Sequence, residues 1–373
     1  MKVAVLFTYD YSLETWDKSG TLDRELKIYQ KLYEKFNIKF IFVTYGNRNE
    51  YNYLKNYPYF EIIPIYEIVK IQNNRLLKFL KSFLVPFKLK SKLKDVDILH
   101  QHQLLGSWVS IILKSLIKKP LLLRTGYDMT KFSELEKKSM HIIFFYKLLN
   151  LISFYASDLV TVTSKSDFEI LKNKFNSNKI KIRKNWVENN NQYVDINDRF
   201  LYKVLCVGRL ENQKNFNFVI NEISKLPHIS IDLYGIGSLE QELKLNSINK
   251  NINLNLKGSI PHEKLLSIYP NYTFFITSSS FEGNPKTLLE AMASGCIVFA
   301  SDIPNHKELI QNLDTGFVFK LEDGSLKNKF NLALKNKSLL KKISLNAKKF
   351  VEKNNNIENL CEAMYKDYIN LIY

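Results

Sequence analysis

The 373-residue chain reads as an α/β protein of two similar domains, each a parallel sheet wrapped by helices. Three observations predict this. Short strand-like apolar runs alternate with amphipathic helix-like runs along the chain. The length exceeds what one ordinary core accommodates. A polar, Asn-rich stretch near the middle interrupts the alternation before it resumes. Hydrophobic residues at 45% and charged residues at 24% are globular proportions, and no segment has the bias of a disordered tail.

Taken in order, KVAVLFTY at the start is a buried strand rather than a secretion signal, because one Lys precedes only a short apolar stretch. TLDRELKIYQKLYEKF (21–36) places Leu22, Leu26, Tyr29, Leu32 and Tyr33 on one helical face. Further strands are predicted at 39–46, 97–102, 120–126 and 158–164. RKNWVENNNQYVDINDRF (183–200) then marks a boundary, dividing the chain into 1–185 and a second domain from 186. Strands resume at KVLCVG (203–208) and recur at 229–235, 252–258, 273–279 and 296–301. The longest apolar run, IIFFYKLLNLISFYA (142–156), is broken by Lys147 and Asn150 and is too short for a bilayer span, so no transmembrane helix is expected. Cys206, Cys296 and Cys361 are widely spaced in apolar contexts, which predicts reduced core residues and a reducing compartment.

A formal charge of +17 calls for an anionic partner: nucleic acid, anionic lipid or a phosphorylated substrate. RLLKFLKSFLVPFKLKSKLK (75–94) contains no acid and interleaves lysines with Leu and Phe. It reads as an element for an anionic membrane surface, or as a domain helix with a solvated lysine face, kinked or ended at Pro86.

Chemistry concentrates in the second half. VGRLENQKN (207–215) sets Gly208, Arg209 and Lys214 at a strand's carboxyl end, where open α/β sheets bind ligands, and the two cations suit a diphosphate. In LYGIGSLEQEL (233–243), Gly235 and Gly237 follow a strand, but Glu240 stands where a dinucleotide fingerprint needs a third glycine. In FEGNPKTLLEAMASG (281–295), Asn284 is expected to cap a helix, with Pro285 in its first position and Gly295 beyond its end. The first amides, of Lys286, Thr287 and Leu288, then form an anion cradle near Glu282, with Glu290 in the second turn. A cradle beside two hydroxyl-reading carboxylates suits a ligand that is both phosphate and polyol, such as a nucleotide sugar.

In that order, VGRLENQKN, LYGIGSLEQEL, KGSIPHEKLLSIYPNYTFFITSS (257–279) and FEGNPKTLLEAMASG resemble the donor domain of the family 4 retaining glycosyltransferases with the GT-B fold. Two glutamates with seven residues between them, here Glu282 and Glu290, are that family's signature. KIRKNWVE (181–188) resembles its interdomain passage, and DILHQH (97–102) a strand of its first domain. The resemblance implies two Rossmann-like domains facing each other across a cleft: an acceptor-binding domain 1–185, a donor-binding domain 186–355, and a last helix, 356–373, packing back on the first.

It further implies that Arg209 and Lys214 hold the donor diphosphate and stabilise the leaving group, with Glu282 as the third catalytic residue. Glu290 would bond the ribose hydroxyls, while Glu282, Gly283 and the amides after Asn284 would hold the sugar. Gly208 and Gly235 would border the donor, the loop with Ile260 would meet the nucleobase through backbone, and Gly20 would approach the phosphates. Two places depart from the family. Where it carries a His after the fourth strand, LRTGYD presents Thr125 and Gly126, and Ser19 replaces a glycine beside Gly20. His100 and His102 are the remaining acceptor-side candidates.

The implied reaction moves a sugar, with retention, from a UDP- or GDP-sugar to a glycan or lipid-linked acceptor in lipopolysaccharide, capsule or O-antigen synthesis. It would run at the cytoplasmic membrane face, without cofactor or metal and with no role for nucleic acid. The triplet at Asp95–Asp97 matches a metal motif of another glycosyltransferase fold but precedes a buried strand. A nucleotide-sugar epimerase and a basic nucleic-acid-binding protein are the alternatives; the first needs cleft acid and base groups, the second a recognition element.

Overall fold

The computed structural model describes residues 1–70, 74–126, 128–188 and 194–373. Tyr127 of LRTGYD and residues 189–193 of the Asn-rich boundary stretch therefore lie outside the described residues. The chain divides into two units, Met1–Arg183 with Cys361–Tyr373, and Lys184–Leu360.

The first unit holds strands β1 (Lys2–Leu6), β2 (Lys39–Thr44), β3 (Phe60–Pro64), β4 (Ile98–Gln101), β5 (Leu121–Thr125), β6 (Leu159–Val162) and β7 (Ile180–Ile182). They lie in the order β3-β2-β1-β4-β5-β6-β7, every pairing parallel. The second unit holds β8 (Phe200–Val207), β9 (Ser230–Tyr234), β10 (Leu254–Leu256), β11 (Tyr272–Thr277), β12 (Ile297–Ser301) and β13 (Phe317–Phe319). Their order, β10-β9-β8-β11-β12-β13, is again wholly parallel. Parallel strands covered by helices on both faces need continuous apolar runs, and β11 and β12 are buried at every residue. In each sheet the strand order reverses once, between β1 and β4 and between β8 and β11, and ligands of such sheets bind outside the carboxyl ends there.

Ten strands fall where the sequence places them; β3, β7 and β13 do not appear in that reading. All three are sheet edges. Two are only three residues long, and the third turns Glu61 to solvent, so none carries a full apolar run. The helix Leu22–Phe36 buries Leu22, Leu26, Tyr29 and Leu32 as its period requires. The basic segment 75–94 forms two helices, Arg75–Ser82 and Val85–Leu89, with Pro86 tolerated in the first turn of the second. Among the described residues no helix is long and apolar enough to cross a membrane.

The last helix, Ile357–Ile372, completes the first unit from Cys361 onward. Asp367, 1% exposed, accepts from Arg183 Nε at 2.6 Å and Nη2 at 2.7 Å and from Lys181 Nζ at 2.9 Å, which fixes the edge strand β7. Tyr365 stacks on Phe36 with ring centroids 4.1 Å apart. Tyr368, fully buried, lies with its hydroxyl 2.8 Å from His100 Nδ1 on β4.

Candidate active site

The second unit's reversal point brings the loops after β8, β9 and β11 together. Gly208 ends β8, and a Cβ there would meet Lys214 Cε at 3.3 Å, so its lack of a side chain lets the lysine stem lie across the turn. Gly235 ends β9 at φ +148°, where a Cβ would sit 1.9 Å from the Gly208 carbonyl oxygen. The two loops are joined by Gly208 N donating to Tyr234 O at 2.9 Å and Leu210 N to Ile236 O at 3.0 Å. Glu211 accepts from Ser238 N and Oγ, at 3.1 and 2.8 Å, and these bonds hold its carboxyl below the usual range.

A short 3-10 turn, Asn212–Lys214, then aims Lys214 at the loop after β11, where its Nζ bonds to Glu282 Oε1. The same oxygen accepts from Ser279 Oγ at 2.7 Å. Burial alone would raise the Glu282 carboxyl, but the Lys214 ammonium, its hydrogen bond and that of Ser279 outweigh it and hold the group below its usual range. Ser278 Oγ donates to the carbonyls of Lys214 and Asn215, and Gln213 Nε2 to Phe281 O, so the two loops form one rigid piece. Exposed Arg209 stands beside them, donating to Gln213 Oε1 at 3.2 Å.

One expectation needs correction. Asn284 does not cap the following helix, which runs Lys286–Ala293 with Pro285 as its extended first boundary and no side-chain cap. The Asn284 side chain instead accepts from Asn185 N at 3.2 Å, and its carbonyl from Asn185 Nδ2 at 2.6 Å. A partner 99 residues away outcompetes the local cap, and Gly283 and Asn284 are buried as part of that clasp. Lys214 and Glu282, assigned separately to diphosphate and sugar, are bonded to each other. The end of the helix is as expected, with Gly295 at φ +74° and Cys296 N returning to Ala291 O.

Glu290, 3% exposed, faces inward from this helix. Its Oε1 is 2.8 Å from His262 Nε2, and Oε2 accepts from Tyr269 Oη at 3.1 Å. Lys286 Nζ lies 6.0 Å from the Trp186 ring, Thr287 is half-buried and Leu288 fully buried. Ile260 precedes His262 on a loop where Gly258, at φ +66°, accepts through its carbonyl from Gly235 N at 2.8 Å.

Sequence reading missed Gln213, Ser279, His262, Tyr269 and His306. Ser279, three residues before Glu282, was the one with a local signal. His306 is fully buried, with Nδ1 3.0 Å from Ser301 O; Ser301 Oγ in turn donates to Ser279 O. Burial pulls its pKa down to about 4, although Glu282 and the Ser301 carbonyl act the other way.

Gly20, at φ 68°, ends the helix Leu13–Lys18, its N–H bonded to Asp17 O. His100 and His102 are both buried, because both lie on or directly after the inner strand β4. Burial keeps His100 well below its usual pKa. Thr125 is buried at the end of β5. Among the described residues no cluster of three or more His, Cys, Asp or Glu is placed to hold a metal. Asp97 of the 95–97 triplet accepts from Lys2 N at 2.7 Å.

The buried histidines make stability depend on pH. His306 titrates near 6.5 when unfolded and about 4 when folded, so the unfolded chain binds the extra proton between those values. Stability is full above pH 6.5 and is expected to fall by about 3 kcal/mol from this group as pH drops to 4. Urea midpoints across that range should be flatter for His306→Asn; equal slopes refute the assignment.

Residues 197–350 match the family model described as "Glycosyl transferases group 1". The chain is 29% identical over 130 residues to the GtfA subunit of a UDP-N-acetylglucosamine–peptide N-acetylglucosaminyltransferase of Streptococcus agalactiae. That match covers 34% of this chain and 26% of the relative, so the chain spans about a quarter of it. It is 26% identical over 275 residues to an Escherichia coli UDP-Gal:α-D-GlcNAc-diphosphoundecaprenol α-1,3-galactosyltransferase, covering 68% of this chain and 69% of that one. HepE of Anabaena, solved with UDP, superposes with TM-score 0.77 at 13% identity, over 99% of this chain and 100% of its own. The two parallel-sheet domains thus have the GT-B fold, and residues 197–350 within it are similar to the glycosyl transferases group 1 family.

Proposed function

We propose that the chain is a retaining glycosyltransferase that moves a sugar from a nucleotide-sugar donor to a glycan or lipid-linked acceptor in cell-surface polysaccharide synthesis. The observation that carries this reading is the largely buried Lys214–Glu282 pair at the β8/β11 reversal, beside Arg209 and a helix start that no side chain caps. An ionised carboxylate reads hydroxyl donors, while a cation and exposed amides read phosphate. A ligand with both groups can engage the whole set.

In the reaction, the bond between the anomeric carbon and the diphosphate oxygen breaks and the acceptor oxygen bonds to that carbon on the same face. The acceptor's proton passes to the departing phosphate oxygen. Arg209 and Lys214 stabilise the charge that develops on the diphosphate, so no metal is required. Glu282, kept ionised by Lys214, accepts from the sugar hydroxyls and fixes the anomeric carbon in place. Glu290, oriented by His262 and Tyr269, accepts from the ribose. A uridine donor is favoured, since HepE has been solved with UDP-glucose, and the galactosyltransferase relative, whose name specifies a diphosphoundecaprenol-linked sugar, favours a lipid-linked acceptor.

A panel of UDP- and GDP-sugars, read by thermal shift, tests this. The correct donor at a hundred times its Kd stabilises by about 2.7 kcal/mol. Arg209→Ala is expected to weaken donor binding by roughly ten- to a hundredfold, the range of a charge-assisted hydrogen bond, with little change in the unliganded melting temperature. Absence of stabilisation by every donor sinks the reading. The anomeric configuration of the product, and turnover in EDTA, test retention and metal independence.

A further inference from the structure

Two segments of the first unit bury apolar residues on one side and expose further apolar residues on the other. The helix Met140–Ala156 buries Leu149 and Phe154 in the core, and polar contacts add to this: Ser153 Oγ lies 2.7 Å from Ser107 Oγ, and Asn150 Nδ2 donates to Thr130 Oγ1 at 2.7 Å. Its opposite side turns Met140, Phe144, Leu148, Leu151 and Tyr155 to water, with Phe144 at 66% and Tyr155 at 70% exposure. That spacing is a continuous helical stripe. The segment 75–89 repeats the arrangement. Ser82 is buried, accepting from Trp108 Nε1 at 2.8 Å, while Leu76, Leu80, Phe83, Leu84 and Phe87 are exposed, Leu76 at 65% and Phe87 at 58%. The two segments adjoin: Phe83 stacks on buried Trp108 at 5.9 Å, and Phe79 meets Phe145 at 6.0 Å.

Soluble chains rarely leave so extended an apolar face uncovered. The charges around it identify what covers it. Arg75–Lys94 and Lys137–Ala156 contain no acidic residue, and Lys88, Lys90, Lys92, Lys94, Lys137 and Lys138 are exposed. Glu134 and Glu136 lie just outside, with Lys138 Nζ 2.8 Å from Glu136. We propose that the outward faces of 75–89 and 140–156 dock together on an anionic phospholipid bilayer, their Leu and Phe side chains entering the headgroup–acyl boundary and the lysines contacting lipid phosphates. All three helices lie flat on the surface, because each segment has its inner side committed to the protein core.

Co-sedimentation with vesicles tests this without reference to sugar transfer. The chain is expected to pellet with vesicles of equal parts phosphatidylcholine and phosphatidylglycerol, to remain soluble with phosphatidylcholine alone, and to be released by salt. Each of Lys88→Ala and Lys90→Ala should lower the partition coefficient about fivefold, and Phe144→Ser roughly tenfold. These side chains are exposed, so melting temperatures should not change. Phe87→Trp gives a second reading, a blue-shifted emission on anionic vesicles only. Equal binding to both vesicle types, binding to neither, or a stable dimer in light scattering that Phe144→Ser dissolves would each overturn the proposal, the last assigning the face to a second copy.

Discussion

Lys214→Met is expected to lower unfolding free energy by about 3–5 kcal/mol, the cost of leaving a buried carboxylate without its counter-ion. Glu282 would keep only Ser279 as a donor to Oε1, in a side chain 9% exposed. Burial, the largest influence on that carboxyl, would then outweigh what remains against it, the Ser279 hydrogen bond and His306, and raise its pKa. The sign of the pH dependence follows. A folded pKa above the unfolded one gives stability that is present at low pH and lost as pH rises, so acidification should partly rescue this variant and not the native chain. The double variant Lys214→Met/Glu282→Leu removes both charges and should regain most of the stability, since an apolar pair of similar volume replaces a buried ion pair at little cost. Turnover separates structure from chemistry. It is expected to fall by roughly two to three orders of magnitude in the single variant and to stay low in the double, because the cation facing the leaving group is gone from both. Native-like urea unfolding of the single variant would show that the pair is not closed in solution.

Gly235→Ala is expected to cost about 3–5 kcal/mol, combining backbone strain with overpacking. The atoms a Cβ would strike, Gly208 O at 1.9 Å and Gly208 C at 2.9 Å, are backbone, so no rotamer change relieves the clash. Relief requires the β8 loop to move, and that loop carries Arg209 and Lys214. Donor affinity should therefore fall along with stability. Gly258→Ala is the matched control: its φ of +66° is also left-handed, but nothing lies within 4 Å of its Cβ position. It should cost only about 1–2 kcal/mol. Equal melting temperatures for the two variants would refute the close approach.

What could be read from the sequence follows the range of the forces involved. Central strands such as β11 and β12 are buried on both faces and announce themselves as apolar runs. Edge strands need only one neighbour, and Ile180–Ile182 or Phe317–Phe319 leave too short a signal. Glycines, cations and glutamates at strand ends were visible as types, because the reversal point demands them. Their pairing was not: Lys214 and Glu282 are 68 residues apart, and only the adjacency of β8 and β11 makes them partners. Asn284 shows the converse error, a sound local capping rule defeated by Asn185. Glu290 could have been foreseen as buried, since Leu288, Leu289, Ala291 and Met292 around it are all apolar.

The closing helix determines how the protein must be made. Asp367 pins the edge of the first sheet, and Tyr368 supplies the partner of His100 on an inner strand, yet the whole of Lys184–Leu360 is synthesised between that sheet and those residues. The body translated earliest is therefore finished latest. An expression clone stopping at the apparent boundary near Arg183 would yield a fragment with an unpaired histidine and a loose rim, whereas the Lys184–Leu360 body emerges with all its strands already in hand.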